Sequence, residues 1–486
     1  MDLKGLRVHF VGIKGTGMCA LVEIFYHAGA VISGSDVEER FYTDDILDKL
    51  KIKALPFSPS NITDDIQLVV YSSAYKKDVN PDLIEAVKKN IPCKLYTEAL
   101  GEYSESAYSC GICGVHGKTS TTGITGSVLK ELPLPSQVLA GSVIKSFNDS
   151  CIYTSELARN AQKPEDRIFV AETCEYQRHF MSFCPQKIIL TSVESDHQDY
   201  YPTYEDIRDA FVDYICLLPD NADLIYCADD KGACETVKIA YEKRPDLNLL
   251  PYGEAALGKY RIVFKGVEHE QNKFFVEGLG DFYIPMPGHH EVLDSVAALA
   301  LANELLADNG LPCDTQAMQK GLASYAGAKR RSEVIGRKKN KNGVEILVMD
   351  DYGHHPTAVK TTLLGLKEFY KGRKLIVDFM SHTYSRTQAL LEEFAESLSA
   401  ADTVILHKIY SSARENPADF QITGRTLFEH AKKYCDDIHY YEEIMDAKAF
   451  VLSELEKPLG NEYPDGYLFV TMGAGNNWPL GLEVLR

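Results

Sequence analysis

The sequence predicts an α/β protein made of three consecutive blocks. Short apolar runs alternate with helix-period segments along the chain, the signature of βαβ units and parallel sheets. At 486 residues the chain is too long for one compact core, and the size favours about three domains. A glycine-rich turn, Gly114-Val-His116-Gly117-Lys118-Thr119-Ser120, stands between a strand pattern and a helix pattern and opens the second block.

The first block, residues 1–107, reads as a strand at 7–12, a helix at 18–28, a strand at 30–33 and a strand at 68–71 ending in Ser72-Ser73-Ala74. The second, 108–328, begins with a strand at 110–115 and continues through strands at 167–171 and 187–191. The third, 329–486, starts near Lys329, with a hairpin around Asn342-Gly343 leading into a strand at 344–349. Strands at 374–379, 402–407 and 466–471 follow, alternating with helices such as 387–398.

The formal charge of −19 repels phosphate backbones and anionic lipid, which argues against nucleic acid and membrane as partners. The N-terminus runs into a strand pattern without an apolar signal core, and no stretch approaches the length of a membrane span. Twelve scattered cysteines, several in strand-like runs, indicate a reduced, cytoplasmic setting. Cys110-x-x-Cys113 has no second pair at matching spacing, so it reads as two buried strand cysteines and not as a zinc or redox site.

The glycines of the 114–120 turn let backbone N–H groups approach a polyphosphate, and the helix N-terminus adds its positive end. Lys118 can reach the β- and γ-phosphates and Thr119 can hold Mg²⁺. The spacing departs from the common phosphate loop, because Gly114 lies three residues before Gly117, where five is usual. Two acidic segments follow at strand ends, where open α/β sheets bind ligands: Glu172-Thr-Cys-Glu175, and Glu194-Ser-Asp196-His197-Gln-Asp199. Carboxylates there can supply the oxygen ligands that Mg²⁺–ATP requires, and the choice between Glu172 and Glu175 stays open. Gly12-x-x-Gly15-x-Gly17 with Asp36 is a weak dinucleotide pattern, since Lys14 stands at the middle glycine.

The phosphate loop and the two acidic segments together resemble the central domain of the Mur ligases. Further marks occur in order across almost the whole chain: His9 to Met18, Gly34-Ser35-Asp36, Ser72-Ser73-Ala74, Asn80-Pro81, Arg330-Arg331, Asp350 to Pro356, His382-x-Tyr-Ser-Arg386-Thr387 and Gly473-Ala-Gly475. The resemblance implies a Rossmann-like N-terminal domain for a UDP-sugar, a P-loop ATPase-like central domain and a Rossmann-like C-terminal domain that closes over ATP and an amino acid. It implies ATP and Mg²⁺ as cofactors, UDP-N-acetylmuramate and L-alanine as substrates, and an acyl phosphate as intermediate. A recycling ligase that adds a preformed tripeptide, or a non-catalytic nucleotide-binding regulator, would carry the same motifs.

Residue by residue, the resemblance places Lys118, His197, His354, His382 and Arg386 in catalysis. Gly114, His116, Gly117, Lys118, Thr119, Ser120, His290, Arg331 and Asp351 would serve ATP, and Thr119, Glu175 and His197 the metal. Gly15, Thr16, Gly17, Ser35, Asp36, Ser72, Ser73 and Ala74 would serve the UDP-sugar. Glu291 and Asp294 stand where the family usually has asparagines, and Thr383 where it has arginine.

Overall fold

The computed structural model describes residues 3–198, 200–411 and 415–486. Asp199, part of the second acidic segment, therefore lies outside the described residues.

Strands β1 (Arg7–Val11), β2 (Val31–Ser35), β3 (Leu68–Tyr71) and β4 (Cys93–Leu95) form a parallel sheet in the order β2-β1-β3-β4. The next sheet contains β5 (Tyr108–Cys113), β6 (Ser136–Ile144), β7 (Ser150–Thr154), β8 (Ile168–Glu172), β9 (Lys187–Leu190), β10 (Asp223–Cys227) and β11 (Asn248–Tyr252). Its order is β11-β10-β9-β5-β8-β6-β7, with β7 antiparallel to β6. A small antiparallel sheet of β12 (Ile262–Val267), β13 (Asn272–Val276) and β14 (Gly280–Ile284) follows. The last sheet contains β15 (Glu333–Lys339), β16 (Glu345–Asp351), β17 (Arg373–Phe379), β18 (Thr403–Leu406), β19 (Ile438–Tyr440) and β20 (Gly466–Met472), in the order β15-β16-β20-β17-β18-β19. Among the described residues no helix is long and apolar enough to cross a membrane, and all twelve cysteines are free.

Register places the site. Central strand β5 pairs Ile112 with Glu172 on one side and Cys113 with Leu190 on the other, so both acidic segments leave the sheet beside the phosphate loop. In the last sheet, Asp351 and Phe379 both pair with Met472, which aligns three strand ends at one edge. The loops carrying His354, His382 and Gly473 emerge there together.

Helix His289–Asp308 is buried over most of its surface and packs against helix Lys118–Leu129, which follows the phosphate loop. Its apolar run, Val296-Ala-Ala-Leu-Ala-Leu-Ala302, is completely buried, as a helix enclosed on several sides requires. Helix Thr16–His27 bridges the first two sheets: its buried Glu23 accepts hydrogen bonds from Ser150 Oγ at 2.7 Å and Cys151 N at 3.2 Å.

Three expectations need correction. The segment 387–398 is not one helix but two, Tyr384–Ala389 and Leu391–Ser397, broken at Leu390 (φ −122°, ψ 36°). Thr383 starts the first of them early by accepting from Arg386 N. Strand β5 ends at Cys113 and not at 115, because Gly114 turns the chain at φ +138°. The β12–β14 sheet was not foreseen, since its alternation is short and is interrupted by a register shift between Phe264 and Gly266. The Asn342-Gly343 hairpin forms as expected: Gly343 N donates to Asn340 O at 3.0 Å, and the Asn340 side chain accepts from Asn342 N and Val344 N.

Because Leu299 is fully buried in the central helix, Leu299→Ala is expected to cost about 2–5 kcal/mol. Urea denaturation followed by circular dichroism would show an earlier transition; an unshifted midpoint would mean that this helix is not the core of its block.

Candidate active site

The phosphate loop takes its shape from the second acidic segment. A Cβ on Gly114 would strike Thr191 Oγ1 and the Ser192 backbone, so only glycine lets the two approach. Val115 N donates to Ser192 O and His116 N to Ser192 Oγ, each at 2.9 Å. Gly117, at φ +80°, opens helix Lys118–Leu129. The Lys118 ammonium folds back toward the loop, 3.2 Å from Val115 O and 3.0 Å from Glu175 Oε2. Burial opposes its charge, but Glu175, Cys174 and Glu172 outweigh that and raise its pKa.

The two glutamates of the first acidic segment take different places. Glu172 Oε2 accepts from Thr119 Oγ1 at 2.9 Å and from Gly141 N at 2.8 Å. Glu175 faces Lys118 and lies 3.3 Å from His197 Nε2, while its backbone carbonyl accepts from Tyr201 OH at 2.6 Å. Burial works against the Glu175 charge, yet Lys118 and His197 hold its pKa below the ordinary value. Thr119 with Glu172, and Glu175 with His197, thus form two separate donor pairs beside the loop, the first of them of oxygens alone, as Mg²⁺ prefers.

The C-terminal sheet closes the other wall. A cavity of about 300 Å³ is lined by His116 to Ser120 of the loop, by Glu172 and Asp196, by His290, Glu291 and Asp294, and by Arg331, Asp351, His354 and His355. Arg386 donates from Nη2 and Nε to Asp196 Oδ1 at 2.7 and 3.1 Å, with both residues buried. Burial opposes the Asp196 charge, but Arg386, His197 and His354 hold its carboxyl well below the usual range. Glu194 makes the neighbouring link: it pairs with His116, lies 3.3 Å from His355 Nδ1 and accepts from Thr357 Oγ1 at 3.0 Å.

His354 is kept neutral, since burial and then Arg386 push its pKa well below the ordinary value. Its Nδ1 lies 2.9 Å from Tyr352 O, so that nitrogen carries the proton and Nε2 is left as an acceptor. The His382 ring is 6.4 Å from that of His354, and Arg386 Nη1 donates to His382 O at 3.2 Å. The two neighbouring arginines separate. Arg331 lines the cavity, whereas Arg330 turns away to Asp350 at 2.7 Å and to the carbonyls of Gly473 and Gly475. Asp351 is taken up by its own loops, accepting from Ser332 N and Gly353 N at 2.7 Å each.

The N-terminal residues gather at the ends of β1, β2 and β3. Asp36 is buried and its oxygens accept from Lys14 N at 2.7 Å, Val37 N at 2.8 Å and Tyr75 OH at 3.0 Å, so it shapes the glycine turn. Ser35 lies against His9, Thr16 bonds Tyr42 OH at 2.6 Å, and Ser72 Oγ accepts from Ala74 N at 3.3 Å. Gly15 ties back to Gly12 O, while Ser73 and Ala74 are exposed. Gly17 lines a second, smaller cavity with Tyr96, Cys174, His179 and Phe180, and Glu172 lines both cavities.

Three family models match the chain in series: the catalytic domain of the Mur ligase family over residues 7–108, the Mur ligase middle domain over 112–302 and the Mur ligase glutamate ligase domain over 330–475. The chain belongs to the Mur ligase family. Like its relatives it is an amide-bond-forming ligase. A UDP-N-acetylmuramate–L-alanine ligase from Treponema pallidum is 48% identical, covering 100% of this chain and 97% of its own length. The crystal structure of a UDP-N-acetylmuramate–alanine ligase from Thermotoga maritima superposes with a TM-score of 0.73 at 21% identity, covering 99% and 98% of the two chains. A murein peptide ligase from Psychrobacter arcticus gives a TM-score of 0.68 at 20% identity, covering 99% and 98%.

Sequence reasoning left Asp196, Glu194 and Thr357 without roles, although Asp196 and Glu194 sit inside the motif it singled out. Their partners lie in the last sheet, 190 residues away for Asp196 and Arg386, and no local signal reveals that pairing. Arg386→Met keeps the volume but strands a buried carboxylate, which is expected to lower kcat/KM about 10²-fold or more. Small-angle scattering of the nucleotide-bound variant would show a larger radius of gyration; an unchanged radius would separate the pair from closure. Since the Asp196 carboxyl is held below its ordinary value, the link persists at neutral pH and is lost only as pH falls below the usual carboxylate range.

Proposed function

We propose that this ligase uses ATP to join L-alanine to the carboxylate of UDP-N-acetylmuramate, in the synthesis of peptidoglycan precursors. The observation that carries the reading is one cavity combining the phosphate loop, both acidic strand ends and the histidines of the last sheet. Full-length similarity to the treponemal ligase supports the choice of substrates.

A carboxylate is a poor acyl donor in water, and phosphorylation supplies a leaving group. The loop N–H groups and Lys118 hold the triphosphate with its γ-phosphoryl group toward Glu172. Thr119 with Glu172 would hold a first Mg²⁺ and Glu175 with His197 a second, and when bound such ions offset the charge on the transferred group. Glu172 lines both cavities, so the muramyl carboxylate reaches the phosphoryl group from the Gly17 side, with the nucleotide of the sugar on the turns around Gly15, Thr16, Ser35, Ser72, Ser73 and Ala74. Asp36 acts through the shape of that cradle.

The amine of L-alanine then attacks the acyl phosphate carbonyl, and the tetrahedral intermediate releases phosphate. His354 offers its unprotonated Nε2 to the amine, while Arg386, which does not line the cavity, acts as a positioning residue through Asp196 and the His382 carbonyl. Closure through Asp196 and Glu194 keeps water from the acyl phosphate.

Phosphate release with UDP-N-acetylmuramate, ATP and Mg²⁺ tests the reading. L-Alanine should support turnover, with glycine and L-serine as poorer substitutes, because a small pocket discriminates single methyl or hydroxyl groups weakly. If only L-alanyl-γ-D-glutamyl-diaminopimelate supports release, a peptide-recycling ligase is the right reading. Lys118→Ala should abolish ATP turnover while UDP-sugar binding persists; retained turnover would remove the loop from the mechanism.

A further inference from the structure

Helix His289–Asp308 carries Glu291 and Asp294 three residues apart, which puts both carboxyls on one face. That face meets the first turn of the phosphate-loop helix. Ser120 Oγ donates to Glu291 Oε1 at 3.1 Å and Thr121 Oγ1 to Asp294 Oδ1 at 3.0 Å. A Cβ on Gly117 would lie 2.5 Å from Asp294 Oδ1, so the acid also touches the loop itself. The remaining oxygens, Glu291 Oε2 and Asp294 Oδ2, are buried and receive no hydrogen bond, in residues only 2% and 5% exposed.

The charged and titratable groups facing the pair come from several elements. Arg331 and Asp351 face it from the last sheet, His290 from the same helix with Nε2 3.9 Å from Glu291 Oε1, and Tyr252 and Tyr325 from the central block. With Arg331 as the cation among these, two adjacent carboxylates in a low-dielectric site cannot both stay ionised at little cost.

We propose that Glu291 and Asp294 act as one acid pair beneath the phosphate loop, and that the first proton the pair releases sets how tightly the loop holds a nucleoside triphosphate. While both carboxyls are protonated the pair carries no charge, and the positive end of the loop helix stays available to phosphate. Once the first proton leaves, a negative charge sits against Ser120, Thr121 and Gly117, and opposes the triphosphate held by the same turn. Burial raises both carboxyls, Glu291 to about 7 with help from Asp351, and Asp294 well above the ordinary range with help from Glu291. A raised carboxyl is protonated below its folded value, so the favourable state is lost as pH rises through about 7. The proposal rests on the reading of the loop as the ATP site.

The test is ATP affinity of the full chain with saturating Mg²⁺ from about pH 6 to about pH 9, a window that brackets the titration. Wild-type Kd for ATP is expected to rise about tenfold across it. The double variant Glu291→Gln/Asp294→Asn has neutral amides of the same shape and should show only the small drift from the triphosphate's own titration. The single variant Glu291→Gln, checked for native circular dichroism, should lose most of the wild-type slope should the double variant fail to fold. A wild-type Kd that does not change with pH, or one whose slope survives in the variants, overturns the acid pair while leaving the ATP site intact. If wild type binds no ATP at any pH, the ATP-site reading itself falls and the proposal with it.

Discussion

Asp196 and Arg386 lie 190 residues apart, yet the site exists only where they meet. Their ion pair is buried, and its two-point geometry on one carboxylate oxygen is what compensates for removing both charges from water. It joins the end of β9 to the segment after β17, and so sets the last sheet against the phosphate loop. The same short segment carries Glu194, which gathers His116, His355 and Thr357, and His197, which faces Glu175. One side of residues 194–197 therefore closes the protein while the other faces the phosphate chemistry. Chemistry and closure are coupled because a single strand end serves both.

That coupling suits an acyl phosphate, which water would hydrolyse. Such a reaction requires no covalent bond between protein and substrate, only positioning, exclusion of solvent and arrangement of charge. Acidic groups are crowded around the loop, and each is stabilised differently. Glu175 is paired with Lys118, Asp196 with Arg386, Asp351 with backbone N–H groups, and Glu291 and Asp294 with hydroxyls of the loop helix.

The sheet edges explain why the same residues could be named from the sequence but not assigned. Glu172 and Glu175 are equivalent as letters after a strand. Strand β8 ends at Glu172, beside Thr119, whereas Glu175 lies three residues on, in a turn that brings it to Lys118 and His197. Arg330 and Arg331 form one basic pair in the sequence, and both guanidinium groups lie over the Tyr352 ring, but Arg330 binds Asp350 and the carbonyls of Gly473 and Gly475 while Arg331 lines the cavity. Asp36 carries the mark of a ligand-binding acid, but it accepts from Lys14, Val37 and Tyr75 and so ties together the ends of β1, β2 and β3.

Local patterns alone determined much of this protein. Strand and helix alternation pointed to three α/β blocks, the glycine-rich turn to a loop suited to phosphate, and the acidic strand ends to carboxylates beside it. These signals are short because backbone geometry and charge at a strand end are set by neighbours in sequence. Tertiary structure decided which glutamate faces which partner, where helix 384–397 breaks, which arginine enters the cavity and which distant groups close it. Those outcomes depend on register between strands far apart in the chain and on charges that must find a partner once buried, and neither is encoded in any single stretch of residues.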